Sequence, residues 1–256
     1  MSTLTAVERG RERARDIRAQ LDLGTGPLGD VFALVEDVDP DVLVLARPLD
    51  DGPEGGLLQG AGKWLVVVNT HDRTRSRQRF TALHELGHYH FDRDREPLHV
   101  DASLHNAQSE PETRASAFAG HLLLPVEVLR ERVRDGRLLV TEKASLVRLA
   151  LEYGIGMLPL SDQLSNGRLV NDAQRRWVAG IAALPLAAQL GLRDRVLLEQ
   201  SARGTVRLPE YYLALGARAR QAGAVTDAWL HVDDLGDHLT EAEREAEQPT
   251  LDRDDP

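Results

Sequence analysis

The sequence predicts an α+β fold, with a small antiparallel sheet packed against a pair of helices and an all-helical C-terminal region behind them. Three observations carry this prediction. Residues 42–45 and 64–68 are short runs rich in Val, Leu and Trp, and they flank a Gly-rich stretch. Two later segments place apolar residues at helical spacing, one at Phe80, Leu83 and Phe91 and the other at Ala115, Phe118, Ala119 and Leu122. Past Gly136 only helical patterns recur.

Taken in order, residues 1–22 read as an amphipathic opening helix. They are Arg-rich and lack an apolar h-region, so they do not read as a secretory signal. Residues 27–32 lead into a short helix. Residues 42–45 and 64–68 are expected to pair as antiparallel strands across the turn at 50–62. Asn69, Thr70, His71 and Asp72 then supply turn and cap chemistry. The run from Arg77 to His84 contains no Pro or Gly and opens the first helix of the pair. The second starts at Glu112, with Glu110 placed outside it because it precedes Pro111. Helices are then expected over 138–153, 158–166 and 172–190. Within this region, 149–164 has helix–turn–helix length with a Gly turn. A last helical pair is expected at 208–222 and 226–239. The acidic segment 241–256 lacks a core pattern and reads as a disordered tail. The chain thus divides into a core at 1–135, a helix–turn–helix-like region at 136–192, a helical extension at 193–240 and a tail at 241–256.

Composition excludes several classes of function. The chain has 256 residues and no cysteine, so neither a thiolate metal site nor a thiol nucleophile is available. The formal net charge of -10 argues against direct binding to nucleic acid, which needs a basic surface. A local basic run, Arg73, Arg75, Arg77 and Arg79, could steer an acidic substrate segment. The longest apolar stretch, 177–192, holds Pro185 and Gln189 and is too short to span a bilayer. These features suit a cytoplasmic protein.

The stretch with the most chemistry is His84-Glu85-Leu86-Gly87-His88, an H-E-x-x-H pattern inside the first paired helix. Residues four apart share a helix face, so His84 and His88 can grip one zinc ion. Glu85 lies about 100° around the helix from His84, close enough to hold an attacking water and take its proton. A catalytic zinc site needs a third protein ligand and an open position. Asp94, six residues after His88, is one candidate, although Phe91 stands where that spacing calls for Gly. Glu112, pointing inward from the first turn of the second helix, is the other. His90 lies on roughly the opposite face from His88, and His99 and His105 fall in a polar loop. The oxyanion partner is open between Tyr89, adjacent to His88, and His121, on the Glu112 helix.

With these residues in view, the chain resembles the ImmA/IrrE family of bacterial and phage metallopeptidases. The resemblance rests on Arg79-Phe80-Thr81 before the H-E-x-x-H motif, on Glu112-x-x-Ala115-x-x-Phe118-Ala119, and on Leu122-Leu123-Leu124-Pro125. It covers about residues 10–130. It departs at His121, where an acidic or polar residue is usual, and at Ser116, where Asn is common. The resemblance implies a zincin-like core in which His84, His88 and Glu112 hold zinc and Glu85 is the catalytic glutamate. Manganese or iron can replace zinc in the cell. It also implies an endopeptidase that cuts a helix–turn–helix transcriptional repressor and so releases stress-response or mobile-element genes. Two other classes stay open. One is a peptidase-fold binding or regulatory protein with weak turnover, against which stands the intact Glu85. The other is a DNA-binding regulator using residues 149–164, against which stands the acidic balance.

Overall fold

The computed structural model describes residues 4–222 except 51, 61, 95–97 and 102–108. The described residues up to Val206 form one compact unit. It opens with α1 (Ala6–Gln20), whose first turn is closed by a capping box between Thr5 and Glu8. Next comes α2 (Val31–Val38), capped by the Asp30 carboxylate, which accepts from the backbone N–H groups of Phe32 and Ala33. The strands follow as β1 (Val42–Arg47), β2 (Gly55–Gly60) and β3 (Lys63–Asn69). After them come the long α3 (Arg75–Asp92), β4 (Leu98–Asp101), α4 (Glu110–Leu123) and α5 (Val126–Arg134). The fold class is α+β.

The sheet is mixed, not antiparallel throughout. Its order is β1-β3-β2-β4, with β1 and β3 parallel in the register Val44↔Val66. The expected antiparallel pairing of 42–45 with 64–68 is therefore wrong. The partner antiparallel to β3 is β2, in the register Leu57↔Val66, and β2 pairs in turn with β4. Residues 50–62 read as a turn because of their glycines, but half of that stretch is a strand. At Gly55 the glycine serves close approach of a helix rather than a turn. Asn69 then ties the crossing loop down. Its side-chain amide donates to the carbonyls of Leu49 and Pro53, and its carbonyl oxygen accepts from the N–H groups of Leu49 and His71. Val42, Val44 and Ala46 of β1 and Trp64, Val66 and Val68 of β3 alternate into the core, where α2 and α3 cover them.

The helical region consists of α6 (Lys143–Tyr153), α7 (Met157–Asn166), α8 (Asp172–Ala179), α9 (Ala183–Gln189) and α10 (Arg193–Ser201). Gly154 ends α6 in the left-handed conformation, φ 60°, and makes the tight turn into α7. The helix expected over 172–190 is broken into α8 and α9 at Gly180, because Ile181 turns inward to the core and Pro185 suits only the first turn of a new helix. Leu122, Leu123 and Leu124 at the end of α4 join Leu129, Leu146 and Leu160 in one apolar core. Arg18 donates to the carbonyls of Leu122 and Leu123, which the end of α4 leaves without helical partners, and to that of Gly24. Burial lowers its pKa to about 10.

Residues from Arg207 belong to a second unit, whose described helix is α11 (Glu210–Gln221). The helix expected at 226–239 and the acidic tail at 241–256 lie outside the described residues. Among the described residues, no helix is long and apolar enough to cross a membrane.

Candidate metal centre

Two helices build the centre. The middle of α3 is buried on all sides, from Gln78 to Tyr89, so its polar residues are held by packing and not by solvent. His84 and His88 stand one turn apart on the face that meets α4. The approach of the two helices is set at Gly87. A Cβ there would lie 2.9 Å from the Ala115 Cα, so any side chain would push α4 away. The first turn of α4 is capped by Ser109, whose hydroxyl accepts from the Glu112 N–H at 3.4 Å. Glu110 and Pro111 both lie inside this turn, contrary to the placement of Glu110 before the helix. Proline fits there because the first turn needs no N–H from it. Glu110 faces outward and pairs with Arg9.

The side chains of His84, His88 and Glu112 converge. One ligand atom from each lies within 4.8 Å of the others, and all three residues are buried. The two Nε2 atoms are 3.0 Å apart, and the Glu112 carboxylate oxygens lie 3.1 Å from His84 Nε2 and 3.2 Å from His88 Nε2. Two imidazole nitrogens and a carboxylate turned toward one point form a donor set that suits a cation among them. The spacing suits a metal. Ligand atoms held about 2.0–2.1 Å from a tetrahedral ion stand roughly 3.3 Å apart. The donor set of two nitrogens and one oxygen leaves a position for water, so the residues present fit one divalent ion.

A second ring of partners orients the candidate ligands, and sequence reasoning missed most of it. His88 Nδ1 lies 3.1 Å from Asp92 Oδ2, and Asp92 Oδ1 accepts from the Arg114 guanidinium at 2.5 Å. Arg114 also lies over the Phe91 ring, 4.7 Å from its centre. His84 Nδ1 lies 3.2 Å from the Ser116 hydroxyl. In both histidines the outward nitrogen is thus engaged, which aims the other at the centre. The signal for Asp92 was present in the sequence, since it is four residues after His88 on the same helix. Ser116 was noticed only as a departure from the family pattern. Gly55 carried no signal beyond its identity. A Cβ there would meet the Thr81 methyl at 2.5 Å and Glu85 Oε1 at 2.8 Å. Strand β2 therefore presses its backbone against the Glu85 carboxyl, and only glycine permits it.

The remaining candidates lie elsewhere. Tyr89 donates its hydroxyl to Asp39 Oδ2 at 2.7 Å and packs edge-on against Trp64. Burial and that hydrogen bond raise its pKa to about 12. Nine residues separate His121 from Glu112, so it faces the opposite side of α4. Its Nδ1 accepts from the Gln163 amide at 3.1 Å, and it lines a hollow with Arg11, Arg15 and Arg18. Burial lowers its pKa to about 4. The structure does not bring either residue to the three ligands. Asp94 is almost fully exposed beside Arg93, which removes it as a ligand. His90 contacts Arg13 and the Phe118 ring. The side chain of His99 and the whole of His105 lie outside the described residues. The basic run before the motif is largely used internally. Arg73 and Arg77 both bind the buried Glu54 carboxylate, and Arg79 donates to the carbonyls of Leu28 and Gly29.

Residues 39–163 match the family model described as the IrrE N-terminal-like domain, Peptidase_M78. The match starts just before the first strand, ends within α7 and includes His84, Glu85, His88 and Glu112. No curated protein matches the chain.

Proposed function

Because residues 39–163 form an IrrE N-terminal-like peptidase domain of the ImmA/IrrE family, we propose that this chain is a zinc-dependent endopeptidase of the cytoplasm that cuts a helix–turn–helix transcriptional repressor. The observation that carries the reading is the buried convergence of His84, His88 and Glu112 with Glu85 one residue along the same helix. Two imidazoles and a carboxylate favour zinc, and manganese or iron suits the same donors. The repressor as substrate, and the release of stress-response or mobile-element genes, follow from the family resemblance.

The bound ion would lower the pKa of water toward neutrality and polarise a peptide carbonyl. Glu85 takes a proton from the attacking water onto its carboxylate and passes it to the leaving amine. Gly55, lacking a Cβ, leaves the space that the Glu85 carboxylate occupies beside β2. Asp92 and Ser116 keep the ligand imidazoles aimed, and the packing around α3 excludes bulk water.

The test is a pair of variants of the full chain, each co-expressed with a candidate helix–turn–helix repressor. His84→Ala should lose the metal, and elemental analysis of protein purified without chelator should show this against about one ion in the parent. Glu85→Gln should keep metal and fold while cleavage drops on the order of a hundredfold or more, since an amide accepts no proton. Full metal in the first variant would remove the ligand assignment. Undiminished cleavage by the second would remove Glu85 as the base.

A further inference from the structure

A cleft of about 440 Å³ has Glu112 of the candidate metal centre in its wall, together with Ser116 and Asp162. Phe80, Leu158 and Pro159 line this cleft and also line a second hollow of about 400 Å³ beside it, so the two share one wall. The second hollow is apolar. Phe80 comes from α3, Ile155, Met157 and Leu158 from the α6–α7 junction, and Ile181 and Leu184 from the start of α9 and the turn before it. Its size falls in the range of ligand pockets, roughly 300–1,000 Å³. Four further wall positions, Ala150, Gly156, Ala179 and Ala183, bring almost no bulk and so leave space. A chain that folds to bury apolar surface has reason to fill such a hollow with a larger side chain at any of these four positions.

The polar groups at the rim are already committed. Glu199 accepts from the Ser76 N–H at 2.8 Å, and Arg77 is paired with Glu54. A charged ligand group would find no partner there, whereas an apolar one would be covered on several sides. The distance to the metal centre can be read along α3. Phe80 precedes His84 by four residues, about 6 Å of helix, and Arg77 by seven, about 10 Å. An extended peptide advances roughly 3.3 Å per residue. A peptide with its carbonyl at His84 and His88 therefore reaches the hollow two to three residues along.

We propose that this hollow is a substrate subsite that takes one large aliphatic or aromatic side chain of an extended peptide, two to three residues from the bond being cut. The inference rests on the peptidase reading for what lies at the other end of the cleft. It assigns substrate selection to the α6–α9 helices, which contribute no ligand to the metal.

The test separates binding from cutting. Short labelled peptides of Ala, Ser and Gly, with one Leu or Phe moved along the chain, are titrated by fluorescence anisotropy against the zinc-loaded Glu85→Gln protein. One placement of Leu or Phe should bind roughly ten-fold more tightly than the all-alanine peptide. Ala183→Trp, added to Glu85→Gln, should fill the hollow and remove that preference. Leu184→Ser, on a partly exposed wall position, serves as a second variant should the first not fold. Equal binding of the Leu, Phe and all-alanine peptides would overturn the proposal, as would a preference that survives both substitutions. The same peptides given to the wild-type enzyme report on the premise. Absence of cutting with the preference intact would sink the peptidase reading and leave the subsite standing. Cutting without regard to the position of Leu or Phe would sink the subsite alone.

Discussion

At the scale of single residues, the proposed metal centre depends on groups outside its three candidate ligands. Asp92 accepts from Arg114 and faces His88 Nδ1, so it sets the ring orientation of one candidate ligand. Asp92→Ala should weaken metal affinity by about ten- to a hundredfold, measured by chelator competition, with the fold unchanged. An unaltered affinity would mean that packing alone aims His88. His121 has a different consequence. Burial holds its folded pKa at about 4, below the ordinary 6.5. Between those values the unfolded chain binds the proton and the folded chain does not. Its contribution is therefore complete above pH 6.5 and is lost as pH falls toward 4. Acidification from pH 7 to pH 5 should cost the wild type about 2 kcal/mol through this group, at ~1.4 kcal/mol per pH unit below 6.5. Urea unfolding at the two pH values should show His121→Leu losing less stability over this step than the parent loses.

At the scale of elements, two glycines decide how closely pieces of backbone approach. Gly87 lets α3 meet α4 and so delivers Glu112 to the two histidines. Gly55 lets β2 lie against Glu85. These positions affect different halves of the chemistry. Gly55→Val should displace the Glu85 carboxyl without moving the three ligands. Metal content should stay near one ion per chain while peptide cleavage collapses, and overpacking should lower stability by about 1–3 kcal/mol. Loss of metal in parallel with activity would show that β2 supports the whole centre. The strand itself was hidden in the sequence because Gly-rich composition signals a turn. Its pairing with β3 depends on Leu57 and Leu58 lying opposite Val66 and Leu65, a partnership that local patterns do not encode.

At the scale of the molecule, the helices past α5 are part of the same compact unit as the sheet and the metal helices. Leu122, Leu123 and Leu129 pack with Leu146 and Leu160 across the boundary expected at 136. Gln78 near the start of α3 donates to the Ala202 carbonyl, and Thr70 donates to that of Thr205. A chain ending at Val206 keeps these bonds and should retain metal content and melting temperature. A chain ending at Gly136 exposes the apolar ends of α4 and α5 and should be insoluble or unable to hold metal. Soluble, metal-loaded protein from the shorter truncation would show that the sheet and the two metal helices fold without the helices behind them.

The local part of this protein could be read from its sequence. The H-E-x-x-H spacing, the helical period around Phe80 and Phe118, and the Ala115–Phe118–Ala119 stripe below Glu112 are each fixed within a few residues of one helix, where geometry follows from the 3.6-residue turn. Only the tertiary structure decided the rest. It ran β1 parallel to β3, turned Glu112 to within 3.2 Å of both histidines, set Asp92, Ser116 and Gly55 around them, and sent Tyr89 and His121 to other partners. Each of these results depends on contacts between residues far apart in the chain. Such contacts are selected by packing and by the need to pair every buried polar group, and neither leaves a period in the sequence.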